Sequence, residues 1–224
     1  FIEWLRERLQ PGVLEAKSRR AVQNGEHWSA TYIRSSFVRG WENARARLRT
    51  AGASVETVED IFNLGVPQRQ LKKLYTRTYE NLESVTEDTA PAVREVLTDG
   101  LAEGINPREM ASRLNSEIQS IQKKRAETLA RTETVHSYSE ATVSRYERAG
   151  VGAVQHGEWK DSDDGRVCVI CKQLDGRQIP MSEIREATFT FEPDDDQPDS
   201  LGGEYPLMPP AHPSGRCALL PVIG

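Results

Sequence analysis

The stretch Gly165–Gly176, GRVCVICKQLDG, carries Cys168 and Cys171 two residues apart, and the chain has one other cysteine, Cys217, inside the segment PPAHPSGRC (209–217). Three thiols cannot form a closed disulfide framework, because one is always left over. A metal uses all of them: Cys168 and Cys171 make a Cys-x-x-Cys knuckle, and His212 with Cys217 makes a second half spaced His-x4-Cys. Thiolate and imidazole are the ligands that borderline-soft zinc prefers, and four of them close a tetrahedron with no position left for substrate. One structural zinc ion is therefore expected. Iron suits the same donors, and spacing does not separate the two metals. A redox role of the thioredoxin kind is disfavoured, because the pair is read as lying between a strand and a turn rather than opening a helix in a βαβ unit.

The residues around this stretch differ in texture on its two sides, and the change falls near Gly150. After Gly150, VGAVQHGEWKD (151–161) reads as a strand, LDGRQIP (174–180) as a turn and short strand, and CALLPVI (217–223) as a final strand. FEPDDDQPDSLGGEYPLMPP (191–210), rich in Asp, Pro and Gly, is expected to be an exposed loop. A tail with so few large apolar groups needs a cross-link, and a bound zinc can supply on the order of 10 kcal/mol in peptide-like contexts.

Before Gly150 the periodicity is helical. From Trp28, the residues Ile33, Phe37, Trp41, Ala44 and Leu48 recur at three- and four-residue steps, with Gly52 suited to a left-handed stop. Leu71, Leu74, Tyr75, Thr78, Tyr79 and Leu82 repeat the pattern. TEDTAPAVREVLTDGLAEG (86–104) reads as another helix, and Asn106, Pro107 and Glu109 supply a cap, a first-turn proline and a reciprocal carboxylate for the next. A long helix is expected from about Ile121 to Ala149. The fold class is thus α+β: a mainly helical region over 1–150, then a small zinc-stabilised module with short strands over 151–224.

Composition narrows the function. Lys plus Arg total 29 against 34 Asp plus Glu, a net charge of −5, so the whole molecule offers no basic field for wrapping nucleic acid. No window approaches the roughly 18 apolar residues of a membrane span, and FIEWLRERLQ (1–10) is unlike a secretory leader. The expectation is a protein that is neither exported nor membrane-bound.

The order LARTETVHSYSEATVSRYERAGV (129–151), EWKDSDDGRVCVICKQLDGRQIP (158–180) and PPAHPSGRC (209–217) resembles the Mu F-like minor head proteins, the phage head morphogenesis family. The resemblance extends from about Leu64 onward. Where many members carry an extra cysteine in the last segment, this chain has Ser214 or Gly215. The resemblance implies a minor virion component rather than an enzyme. Such a protein would associate with portal and head proteins and with packaged DNA, act in head assembly or genome delivery, and reside in the head interior or at the portal vertex after assembly in the host cytoplasm. It implies no small-molecule substrate, and the helices would be the docking surface.

Other motifs carry competing readings. Arg131 and Glu133 are read as structural clamps between their helix and the zinc module, with Arg166 as a further structural residue. Glu133 with His136 mimics a carboxylate metal half-site, yet no second such pair exists. DSDDG (161–165) lacks the distal glutamate of a calcium loop and reads as a turn. Arg39, Arg45, Arg47 and Arg49 with Trp41 could meet phosphates and a base, although a solvated helix face explains them better. Two alternatives stay open. A metal-dependent nuclease would need His136 or His156 as base, and a nucleic-acid-binding zinc module would have to work beside the anionic runs KDSDDG and EPDDDQPD.

Overall fold

A computed structural model describes residues 17–27, 29–55, 64–81, 107–150 and 152–223. Among them are α1 (Arg19–Gln23), α2 (Ser29–Thr50), α3 (65–81), α4 (Pro107–Ala149), β1 (Val154–Lys160), α5 (Val169–Leu174), β2 (Gln178–Pro180), β3 (Thr188–Phe191), β4 (Gly203–Pro206) and β5 (Ala218–Ile223). The architecture is α+β, with helices first and short antiparallel strands after them. The helix read at 86–104, the cap at Asn106, Trp28 and residues 1–10 lie outside the described residues. No helix among the described residues is long and apolar enough to cross a membrane.

The described residues fall into two compact units, one drawn from 1–30 and 72–130, the other from 31–71 and 131–224. In the first, Ser18 caps α1 by accepting the Ala21 N–H. Gly25, at φ +78, turns the chain where an added Cβ would sit 3.1 Å from the Tyr75 ring. His27 is buried, bonded through Nδ1 to Ser29 Oγ at 2.7 Å and set edge-on to Tyr79.

The second unit holds the candidate site. Ile33, Phe37, Trp41, Ala44 and Leu48 are all buried, which is the stripe the sequence predicts for α2. Gly52, at φ +89, ends the helix as expected. The stripe meets α4 through small residues. A Cβ on Gly40 would run into the Tyr138 carbonyl oxygen, so only glycine permits this approach. Hydroxyls then cross the gap: Ser36 Oγ donates to Thr134 O at 2.6 Å, and Ser137 Oγ to Ile33 O at 2.9 Å. Each such bond between helices contributes about 0.5–1.5 kcal/mol net.

Helix α4 runs unbroken for 43 residues, where the sequence suggests a start at Pro107 and a separate segment from Ile121; nothing in NSEIQS (115–120) breaks a helix. Gly150, at φ +86, closes it. The chain then enters β1, the centre of a sheet ordered β2-β1-β5, antiparallel on both sides. Val154, Gly157 and Trp159 point to the core, with Trp159 opposite Leu219. Arg47 Nη1 at 2.8 Å and Tyr146 Oη at 3.2 Å both donate to Leu219 O, tying β5 to α2 and α4. One apolar core consequently includes Ala44, Leu48, Val143 and Tyr146 together with Trp159, Leu174, Ile179, Phe191 and Leu219.

The segment 191–210 is only partly the exposed loop expected from its composition. Residues 203–206 form β4, paired with β3, and Phe191, Leu207 and Met208 are buried. The alternation TFTF overrides the acidic loop that follows it. Trp41 is also not a surface stacking platform: it is 1% exposed, and the Arg145 guanidinium lies 5.5 Å from its ring centroid.

Candidate metal centre

Two turns meet at the site. The first begins in the Asp-rich run after β1. Asp161 Oδ1 accepts the Asp163 N–H and Asp164 Oδ1 the Arg166 N–H, so DSDDG is a turn stabilised by its own carboxylates. Asp175 closes the far side of this loop by accepting the Asp161 N–H at 2.9 Å and Lys160 Nζ at 3.1 Å, and those donors hold its carboxyl below the ordinary range. Between them Cys168 is the N-cap of α5, accepting the Cys171 N–H on Sγ at 3.4 Å. The knuckle therefore does open a helix, contrary to the strand-to-turn reading. It is a six-residue helix among antiparallel strands, and no βαβ unit surrounds it.

The second turn is His212–Cys217. Gly215 N–H donates to His212 O at 3.0 Å, and a Cβ at Gly215 would press on His212 O and Pro210 at 3.1 Å each. His212 Nδ1 lies 3.0 Å from Pro213 O. A carbonyl only accepts, so Nδ1 carries the proton and Nε2 presents its lone pair. That lone pair faces two sulfurs, Cys168 Sγ at 3.1 Å and Cys171 Sγ at 3.3 Å.

The donor atoms of Cys168, Cys171 and His212 all lie within 4.8 Å of one another, and among the described residues no other three His, Cys, Asp or Glu side chains do so. The group can hold a metal ion. The chemistry fits: tetrahedral ligands about 2.0–2.3 Å from zinc leave their donors at separations of this order. The imidazole is oriented by a carbonyl, as metal-bound histidines are. Cys217, 5% exposed, is not in that trio, but its sulfur lies beside that of Cys171. The neighbouring Cys217 sulfur, then burial, pushes the Cys171 thiol up, while the Cys171 neighbour favours thiolate at Cys217. The Trp159 indole also faces the Cys217 sulfur.

The other candidate residues are distributed unevenly. Arg131 is exposed and bonds to no described side chain, whereas Glu133 is 1% exposed. A bond from α4 to the second turn comes from the residue between them: Thr132 Oγ1 accepts the Ser214 N–H at 3.0 Å. Arg166 is exposed, reaching Asp164 at 3.5 Å. The stronger partner is Arg216, whose two terminal nitrogens meet both Asp164 oxygens at 2.6 and 2.7 Å. Sequence reasoning missed Thr132 and Arg216 because each pairs with a residue far away in the chain; the place of Thr132 between Arg131 and Glu133, and of Arg216 beside Cys217, was the available signal. His136 and His156 sit on α4 and β1, and neither joins a possible metal-holding trio among the described residues.

A family model described as phage Mu protein F-like protein matches residues 91–220, more than half of the chain. No curated protein and no solved structure matches it.

Proposed function

We propose that this chain, which belongs to the phage Mu protein F-like family, is a structural minor head protein of a tailed virus, acting in head morphogenesis at the portal vertex and in packaging or delivery of the genome. The family match carries this reading, since it spans the knuckle, the second turn and most of the sheet together. The protein acts by binding, not by catalysis. Its helical region, 1–150, docks on portal or head proteins, and its C-terminal module, 151–224, is closed by one zinc ion. Cys168, Cys171, His212 and Cys217 are the ligands; thiolates and a neutral imidazole neutralise and enclose the ion, leaving no open position. Cys217 belongs in the set because it is the one remaining thiol, is buried beside Cys171, and supplies the fourth donor that closes a tetrahedron.

The reading is tested by purifying virions and assembly intermediates with antibody to this chain. Presence at a few copies per head, lost when the portal is absent, is the expected result; absence from heads at every stage overturns it. Native mass spectrometry should find one zinc per chain.

Contact with packaged DNA is a second reading favoured by one observation. Arg19, Lys72, Lys73 and Arg77, with Glu80 as the one acid, line a groove of about 380 Å³ on a chain whose net charge is −5. Binding to duplex DNA that weakens steeply with salt, and weakens further in Lys72→Ala/Lys73→Ala, supports it.

A further inference from the structure

We propose that Trp159 is a positioning residue of the metal centre, its indole N–H donating to the sulfur of Cys217 and holding that sulfur as a buried, metal-bound thiolate. The inference rests on the zinc reading above and goes beyond it by assigning a role to a residue that is not a ligand.

Three observations converge. Trp159 is fully buried, and its Nε1 has no hydrogen-bond partner among the described residues. A buried indole N–H almost always finds an acceptor, since leaving it unpaired forfeits its hydration for nothing. Strand register then locates the acceptor. Trp159 stands opposite Leu219, and Cys217 is two residues earlier on the same side of the chain, the diagonal neighbour that a long aromatic side chain reaches. Finally, the indole lies beside the Cys217 sulfur.

A neutral thiol is a weak acceptor, so the N–H is poorly satisfied by an unmetallated Cys217. A metal-bound thiolate carries formal negative charge, and a charged acceptor roughly doubles the strength of the bond. Three thiolates around one divalent ion leave an excess negative charge in the core, which only donors can spread. Cys168 has such a donor in the Cys171 amide. For Cys217 that donor is the indole, delivered by the central strand of the sheet.

The experiment compares wild type with Trp159→Phe, which keeps most of the apolar volume and removes the donor. Zinc affinity is measured by competition with a chromophoric chelator, and the cobalt(II)-loaded proteins are compared by their sulfur-to-metal charge-transfer bands. The expected result is a roughly 10-fold or greater loss of affinity, a shifted charge-transfer band, and no further loss when Trp159→Phe is combined with Cys217→Ser. In the wild type, the indole ¹⁵N–¹H resonance should move on zinc loading and return on chelation, a readout that stands even if the variant fails to fold. Equal affinity with an unchanged band, or an indole resonance indifferent to zinc, overturns the proposal and leaves the metal centre intact. A wild-type chain that takes up no metal overturns both.

Discussion

Arg216 grips Asp164 with both arms of its guanidinium, and these two residues sit next to opposite halves of the proposed metal centre: Asp164 four positions before Cys168, Arg216 one before Cys217. The two turns are therefore registered against each other by an ion pair that does not depend on the metal. Arg216 holds the Asp164 carboxyl far below the ordinary carboxylate range. A depressed native pKa stabilises the fold above the unfolded value of 3.8 and loses that contribution as pH falls through the native value. Asp164→Asn should weaken zinc binding several-fold at pH 7, within the roughly 10–100-fold range seen for outer-shell partners. The gap in unfolding midpoint between wild type and variant should close progressively as the pH is taken below about 4. Titration of both proteins with chelator over pH 3–7 checks this.

Removing the metal should act locally before it acts globally. Cys171→Ala, or excess chelator, is expected to erase hydrogen-exchange protection in α5, β1 and β5, while the α2 to α4 contact through Ser36 and Ser137 outlasts it, since those hydroxyl bonds run helix to helix. Exchange measured by mass spectrometry, with and without zinc, distinguishes this from uniform loosening.

Gly40→Ala should destabilise the protein by roughly 1–3 kcal/mol, because its Cβ collides with the backbone at Tyr138 and the helices must separate. Gly52→Ala has open space around it and should cost less, about 1 kcal/mol, through its positive φ alone. Paired urea denaturation curves decide the order.

Burial raises the Tyr146 phenol to about 12, against an ordinary value of 10.0. A raised native pKa contributes stability below the unfolded value that is lost as pH climbs through the native one. Stability should thus fall between about pH 10 and pH 12, by an amount on the order of 2–3 kcal/mol, and Tyr146→Phe should flatten that decline while giving up the bond to Leu219 O. Ultraviolet titration, with denaturation at each pH, is the measurement.

Local signals made the helices legible. Spacing of Phe37, Trp41, Ala44 and Leu48, the proline at 107 and the glycines at 52 and 150 each act within a few residues, and each is where the sequence places it. The knuckle and its histidine partner were legible for the same reason, being short-range spacings of rare residues. What stayed hidden depends on partners remote in the chain. Thr132 with Ser214 and Asp164 with Arg216 are separated by 82 and 52 residues. Cys168 as a helix cap was hidden differently, because cysteine is an unusual cap and its role is set by α5 being only six residues long. The hairpin of β3 and β4 was masked by the aspartates between its strands, whose composition outweighed the alternation of Phe189 and Phe191.

That hairpin gives the acidic stretch a mechanical independence. Residues 192–202 leave and re-enter at adjacent strand ends, and Asp194–Asp196 are exposed. Everything that matters on one side of them is fastened to the other: β1 to β5, β3 to β4, Asp164 to Arg216, and the first two sulfurs to His212. A protease that nicks the chain there produces two pieces that still travel as one particle in native buffer and part only in denaturant. The same stretch can accept an inserted tag or epitope without unthreading the core behind it.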